Sequence, residues 1–440
     1  MRRILNTALE AQVLPPVSMI SLEEEQIMLD EAASNQAEVA QDLSEAERII
    51  EVSDALEDLA VVADGIEEAT PAEAALVEVA GDMAVAGSDV TPEEIVPAME
   101  SYIGRRIATE TIRETAASIW KSIQDFLKKI WTKIQDFFYK IFGTIPALRR
   151  RLKDLEKRAD ETHGKSLGET KSVKLSTGLN ALSIDGKVVK NASDIASGVK
   201  TLSESVTYVF STYIDNTVKR GEMIAKSIES FDPANAAKVA EDLVAELKGT
   251  KSGPVPGHGS DDFKRFPGFA TQIGTPMFGN VSLASKNFKE GENQTDLGRL
   301  DRYRRGGVEL LATSDKAITL PSDAEVAALS PTEVGNLIGE IDKILTKMEE
   351  YQRGAKAKAI QKTRGDLEAA SKKATAAFEK AEKSEDVGEK AALPYYKALL
   401  NFNASFTRWA QTPAMPLVSQ GITSIKAVMM VCEKSLALYK

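Results

Sequence analysis

Cysteine is nearly missing from this 440-residue chain, which holds one, Cys432. A lone thiol excludes a disulfide framework and any cysteine-based zinc site, and suits a reducing compartment. Its simplest role is that of a small buried hydrophobe on the last helix. Histidine is almost as scarce: His163 and His258 both sit beside glycine, where exposed loop residues are expected, and neither has the spacing of a metal-ligand pair. No run of 18 uninterrupted apolar residues occurs, so no bilayer-spanning helix is expected. In the opening "MRRILNTALEAQVLPP", Asn6 and Glu10 interrupt the apolar region, so no secretory signal is expected either. There is no glycine-rich phosphate loop of either common pattern and no G-x-S-x-G elbow. The Asp261-Asp262 pair alone does not make an acid/base site. The expectation is a protein that is not an enzyme, with no cofactor and no metal.

The most informative absences fall within the first hundred residues, which contain no lysine, no histidine and no aromatic. Arg2, Arg3 and Arg48 stand there against 24 acidic residues, a balance of −21, while the other 340 residues hold 52 basic and 42 acidic groups, a balance of +10. A segment with no aromatic is poorly placed to build a dense core. The chain thus reads as an acidic front joined to a basic body, the asymmetry of an interaction tail or a removable segment. The front is still helical in pattern: Ser21 with Glu24 has capping-box spacing, and Thr70-Pro71 and Thr91-Pro92 mark further helix starts.

Immediately behind the junction, "IWKSIQDFLKKIWTKIQDFFYKIF" repeats an eleven-residue phrase that agrees with itself at seven positions. Eleven residues make three helical turns with about 20° to spare, so the copies superpose. Trp120, Ile123 and Leu127 fall with Trp131, Ile134 and Phe138 on one apolar arc, and Lys121, Lys128, Lys129, Lys133 and Lys140 lie opposite. Such a helix can pack against its own chain, present lysines to nucleic acid, or lie in a membrane interface. The length of the chain favours packing against its own helices.

Beyond it, the pattern predicts a mainly α body with a small irregular α+β part in the middle. An acidic helical leader over 1–100 is followed by basic amphipathic helices over 101–164, broken near "GTIP", then a hairpin plus helices over 165–248. A Gly/Pro-rich subdomain with short strands, "VELLAT" and "AITL" among them, spans 249–329, and helices fill 330–440. Asp185-Gly186 marks the hairpin within 172–189, and Ser330-Pro331-Thr332-Glu333 is another capping box. The lysine-rich stretch from Ile338 to Asp386 has the charge pattern of a long exposed helix or helical pair. The last fifty residues are apolar enough to pack inward.

Arginine clusters are candidates for phosphate contact, which needs only charge and reach. They are Arg105 and Arg106; Arg149, Arg150 and Arg151; and Arg302, Arg304 and Arg305, joined by Lys128 and Lys129 on the helix. Each cluster taken singly also fits a solvated helix face.

An acidic leader ending "PAME", then "SYIGRR", then the Trp/Phe/Lys helix running into "LRRRLKDLEKRAD" resembles the internal head proteins of giant tailed bacteriophages. The resemblance implies an N-terminal propeptide that targets the prohead, with prohead core or shell proteins as partners. It also implies removal of that propeptide by the phage's prohead protease after a small residue, any residue and Glu. Ala98-Met99-Glu100 fits, with Ser101 as the new N-terminus; Ser21-Leu22-Glu23, Gly65-Ile66-Glu67, Ala108-Thr109-Glu110, Ser227-Ile228-Glu229 and Gly307-Val308-Glu309 fit as well. Coincidence with the charge and aromatic switch selects Glu100. The implied destination is the inside of the capsid, beside packaged double-stranded DNA bound without sequence preference, after assembly in the host cytoplasm. A membrane-active virion protein working through residues 119–142 is the alternative.

Overall fold

The computed structural model describes Gln41, Thr70 and residues 110–257, 266, 269–289, 295–314, 318–382, 384 and 386–440, with side chains along the first of its helices from Leu127 onward. Apart from Gln41 and Thr70, the helical leader expected over 1–100 lies outside these residues. So does the stretch of the glycine-rich part around Asp261 and Asp262.

Helix α1 runs Glu110–Gly143 and α2 Ile145–Thr162. They part at Thr144, a buried residue whose Oγ1 donates to the Ile141 carbonyl at 2.7 Å, while Pro146 in the first turn of α2 has no N–H to satisfy. Ile145, Leu148, Leu152, Leu155 and Ala159 recur at helical spacing and are buried.

Strand β1, Ser172–Leu175, pairs antiparallel with β7, Ala324–Ala327, setting Val173 opposite Val326. The hairpin therefore covers less of 172–189 than expected: only β2, Ser183–Ile184, and β3, Lys187–Val188, form it. Asp185 and Gly186 close it with φ of 49° and 78°, the two left-handed positions that a tight two-residue hairpin turn requires. Helix α3, Ala192–Thr207, passes through one π-helical turn, Tyr208–Tyr213, into α4, Ile214–Glu229, and α5 follows at Ala236–Lys248.

A three-stranded antiparallel sheet in the order β4-β5-β6 joins Phe269–Ile273, Val281–Phe288 and Gly307–Ala312, with α6, Asp296–Arg305, between its last two strands. "VELLAT" supplies β6, but Ile318 to Leu320 of "AITL" are irregular and the strand comes after Pro321, where β1 waits as a partner.

The remainder is helical: α7 Pro331–Arg353, α8 Ala355–Glu382, α9 Val387–Leu400, α10 Phe402–Gln411 and α11 Ala414–Leu436. Ser330 and Glu333 cap α7 reciprocally, side chain to backbone in both directions. The lysine-rich pair α7 and α8 is not peripheral, as its charge pattern suggested. Ile341, Ile344, Leu345, Met348 and Tyr351 of α7, and Ile360, Leu367, Ala370, Ala374 and Phe378 of α8, are buried. Helix α8 can lie against α4 because Gly221 faces Thr363 and Phe406, where a Cβ would stand 2.4 and 2.6 Å from their carbons.

Buried residues from Leu127 to Leu436 form one continuous core, in which Trp409, Tyr213, Phe137, Phe278, Phe402 and Phe406 are among the largest enclosed side chains. One window within residues 391–436 is long and apolar enough to cross a bilayer, but 67% of it is buried in this core, as in the central helix of a folded domain. The protein is mainly α, with its small antiparallel sheets in the middle of the chain.

Candidate polyanion interface

Leu127, Trp131, Ile134 and Phe138 of α1 are all buried in the core. Phe138 stacks on Phe142 at 5.4 Å between centroids and meets Tyr351 edge-on at 5.7 Å, and the Arg364 guanidinium lies 5.0 Å over the Trp131 ring. The side chains of Trp120 and Ile123 lie outside the described residues. On the opposite side Lys128 and Lys129 are exposed, and Lys128 borders a shallow cleft with Arg364, Glu368, Asn403 and Thr407.

The arginines that follow do different work from the one their clustering suggested. Arg149 donates through Nη1 to Asp342, and through Nη2 to Thr346 Oγ1 at 2.8 Å and Glu349 Oε2 at 3.1 Å, all on α7. Arg151 grips Glu433 of α11 bidentately, at 2.8 and 3.0 Å, and Arg158 donates to the Glu433 carbonyl at 3.3 Å. Nε and Nη2 of Arg150 are enclosed by protein. Helix α2 is thus stapled to α7 and α11 by guanidinium forks whose donors are already engaged. Arg304 is buried and holds Asp301 at 2.7 Å, Arg305 holds the same carboxylate at 3.0 Å, and Arg302 is half-buried. Arg149, Arg151 and Arg304 therefore leave the set of free surface cations, because engaging a phosphate would mean breaking internal pairs. Arg105 and Arg106 lie outside the described residues.

A second cationic centre has no counterpart in the charge clusters. Arg220 of α4 is buried, and no carboxylate pairs with it among the described residues. Its Nε donates to the Thr250 carbonyl at 2.7 Å and to Thr250 Oγ1 at 3.1 Å, and its guanidinium lies 5.4 Å from the centre of the Trp409 ring. Burial pulls this guanidinium below its ordinary range and pushes the neighbouring Tyr208 and Tyr213 hydroxyls up. Trp409 Nε1 donates to the Gly306 carbonyl at 2.7 Å, and the Val308 N–H donates to the Tyr213 hydroxyl at 3.4 Å. The contacts run to backbone, to uncharged hydroxyls and to a ring face, so the centre ties α4, α10 and β6 together. The adjoining cleft has room for about one water. The available signal was a single arginine on the apolar face of α4, between Thr217 and Ile224.

His163 is exposed just past α2, while His258 lies outside the described residues. Cys432 is enclosed, and burial pushes its thiol up to about 12. Among the described residues no group of three His, Cys, Asp or Glu side chains converges as a metal would need.

Ala98, Met99, Glu100 and Ser101 lie outside the described residues. Of the downstream matches to the same three-residue pattern, Ser227-Ile228-Glu229 is inside α4 with Ile228 buried, and Gly307-Val308-Glu309 is inside β6 with its first two residues buried. Ala159-Asp160-Glu161 and Ala377-Phe378-Glu379, which fit it too, are inside α2 and α8.

Comparison with protein-family models matches residues 22–434 to the phiKZ-like phage internal head proteins. Neither the comparison with curated proteins nor that with solved structures gives a match. The family match takes in most of the acidic first hundred residues and nearly all of the helical body, and it puts the protein inside the phage head as a structural component. The chain belongs to the phiKZ-like phage internal head proteins.

Proposed function

We propose that the chain is a precursor: the prohead protease cuts after Glu100, and the body from Ser101 is packaged with double-stranded DNA as a non-enzymatic structural protein. The observation that carries this is the charge partition, −21 before Ser101 and +10 from there on. Removal of the leader turns an acidic chain into a basic one, suited to a compartment filled with phosphate. The positions of the downstream matches support the choice of Glu100 over them. A protease cuts most readily in accessible, irregular chain, and of the five downstream matches those at Glu161, Glu229, Glu309 and Glu379 lie inside helices or a strand, while Glu110 is the first residue of α1.

Contact with DNA on this reading is weak, salt-sensitive and sequence-independent, through exposed lysines such as Lys128 and Lys129. The burial of Trp131 and Phe138 weighs against the membrane alternative, because that half of the apolar arc is already occupied by the protein's own core. Filter binding of duplex DNA to the full chain and to residues 101–440, across a salt series, tests the proposal. The fragment is expected to bind and to lose about tenfold or more of its affinity between 50 and 200 mM salt, with the full chain much weaker. Equal binding by both contradicts it.

A further inference from the structure

A run of exposed lysines outside the arginine clusters lies along α8. Lys358, Lys362, Lys372, Lys373 and Lys380 are all exposed. At 100° per residue they fall on an arc of about 100°, spread along about 33 Å of helix. Gly365, Ala369 and Ala376 lie exposed on the same arc, so no large side chain stands between the lysines. A Cβ added at Gly365 would meet nothing within 4 Å, so internal packing gives no reason for glycine there.

Of the acids near this arc, Asp366 and Glu368 stand at its edges and are engaged. Asp366 pairs with Lys362 at 3.3 Å, and Glu368 is shared by Arg364 and Lys372, each at 3.5 Å. Lys358, Lys373 and Lys380 have no ion pair among the described residues. The exposed face of α4 alternates Asp215, Lys219, Glu222, Lys226 and Glu229, and on α7 Lys343 and Lys347 are each matched at 2.7 Å by Glu340 and Glu350.

We propose that in the uncut chain the acidic first hundred residues dock on this lysine arc of α8. Charge complementarity favours that occupant: the leader holds 24 acidic residues against three arginines. Being on the same chain, it meets the arc at the high effective concentration of a tethered partner, so weak contacts suffice. Exposed lysines on long stems adapt to an acidic segment without needing a shaped pocket. The proposal concerns the uncut chain, so it stands or falls separately from whether the leader is later removed.

The leader contains no lysine, which makes a zero-length carbodiimide experiment on the full chain directional. A bond between a leader carboxylate and a lysine must end on the body. The five α8 lysines are expected to take leader links about fivefold more often than exposed controls such as Lys174 or Lys238, and about 0.5 M salt is expected to abolish the preference. Links spread evenly, concentrated elsewhere, or missing altogether overturn the proposal. A variant with all five changed to Gln (K358Q, K362Q, K372Q, K373Q and K380Q) is expected to keep its circular dichroism and to lose these links without new ones on neighbouring lysines. In a second arm the lysines are acetylated. Protection of the five in the full chain without DNA supports leader docking; protection only when duplex DNA is added assigns the arc to phosphate and overturns it.

Discussion

Arg151 on α2 and Glu433 on α11, 282 residues apart in sequence, face each other as a fork on a carboxylate, with both hydrogen bonds at or below 3.0 Å. Both side chains are partly buried, so the pair is less screened than a surface contact and fixes the angle between two core helices. Arg151→Ala is expected to lower stability by about 1 kcal/mol and to leave DNA affinity almost unchanged. Arg151→Lys is expected to recover only part of the loss, because an ammonium cannot reproduce the fork. Urea denaturation together with DNA titration checks this; weaker DNA binding with no change in stability would return Arg151 to the interface.

Two glycines near α8 give opposite expectations. Gly221→Ala places a Cβ 2.4 Å from Thr363 Cγ2 and 2.6 Å from Phe406 Cε2, and is expected to cost about 1–3 kcal/mol. Gly365→Ala meets open space in an exposed helix interior and is expected to stabilise by about 0.5–1 kcal/mol. Paired unfolding curves decide whether α4 and α8 approach as closely as described.

Cys432 supplies a pH expectation. Its thiol is pushed from an ordinary 9.0 to about 12 by burial, so the folded state holds this proton more tightly than the unfolded chain does. The associated stability is complete below pH 9 and is lost as pH rises from there toward 12. At pH 8 a thiol reagent is expected to modify Cys432 only at the rate of unfolding; rapid modification of the native protein would mean that α11 is not enclosed.

A Glu-specific protease is expected to cut the native chain within the first hundred residues and to spare Glu229 and Glu309, which sit in α4 and β6. In urea both become cleavable. Native cleavage at either would remove the structural argument for selecting Glu100.

Local signals in the sequence carried much of the fold. The α1/α2 break followed from "GTIP", the turn of the β2/β3 hairpin from Asp185-Gly186, and the start of α7 from Ser330 and Glu333, because each depends on residues within four positions of one another. Long-range partners were not legible. Nothing around Ser172 announces a strand partner at Ala327, and nothing in "LRRR" says that the acceptors for Arg149 stand 193 to 200 residues further on. Helix α8 misled for a different reason: much of its buried side is Ala, Ser and Thr, which close packing against α4 rewards but a hydrophobicity pattern barely registers. At the interface, charge was visible while its engagement was not, so arginines that staple helices looked the same as lysines that face water.

On the proposed reading, the packaged protein is the body and not the whole chain. Intact-mass and N-terminal sequence measurement on the protein extracted from mature particles tests it most directly. A chain whose N-terminus is Ser101 is expected; recovery from the particle of a chain with the leader still attached contradicts this.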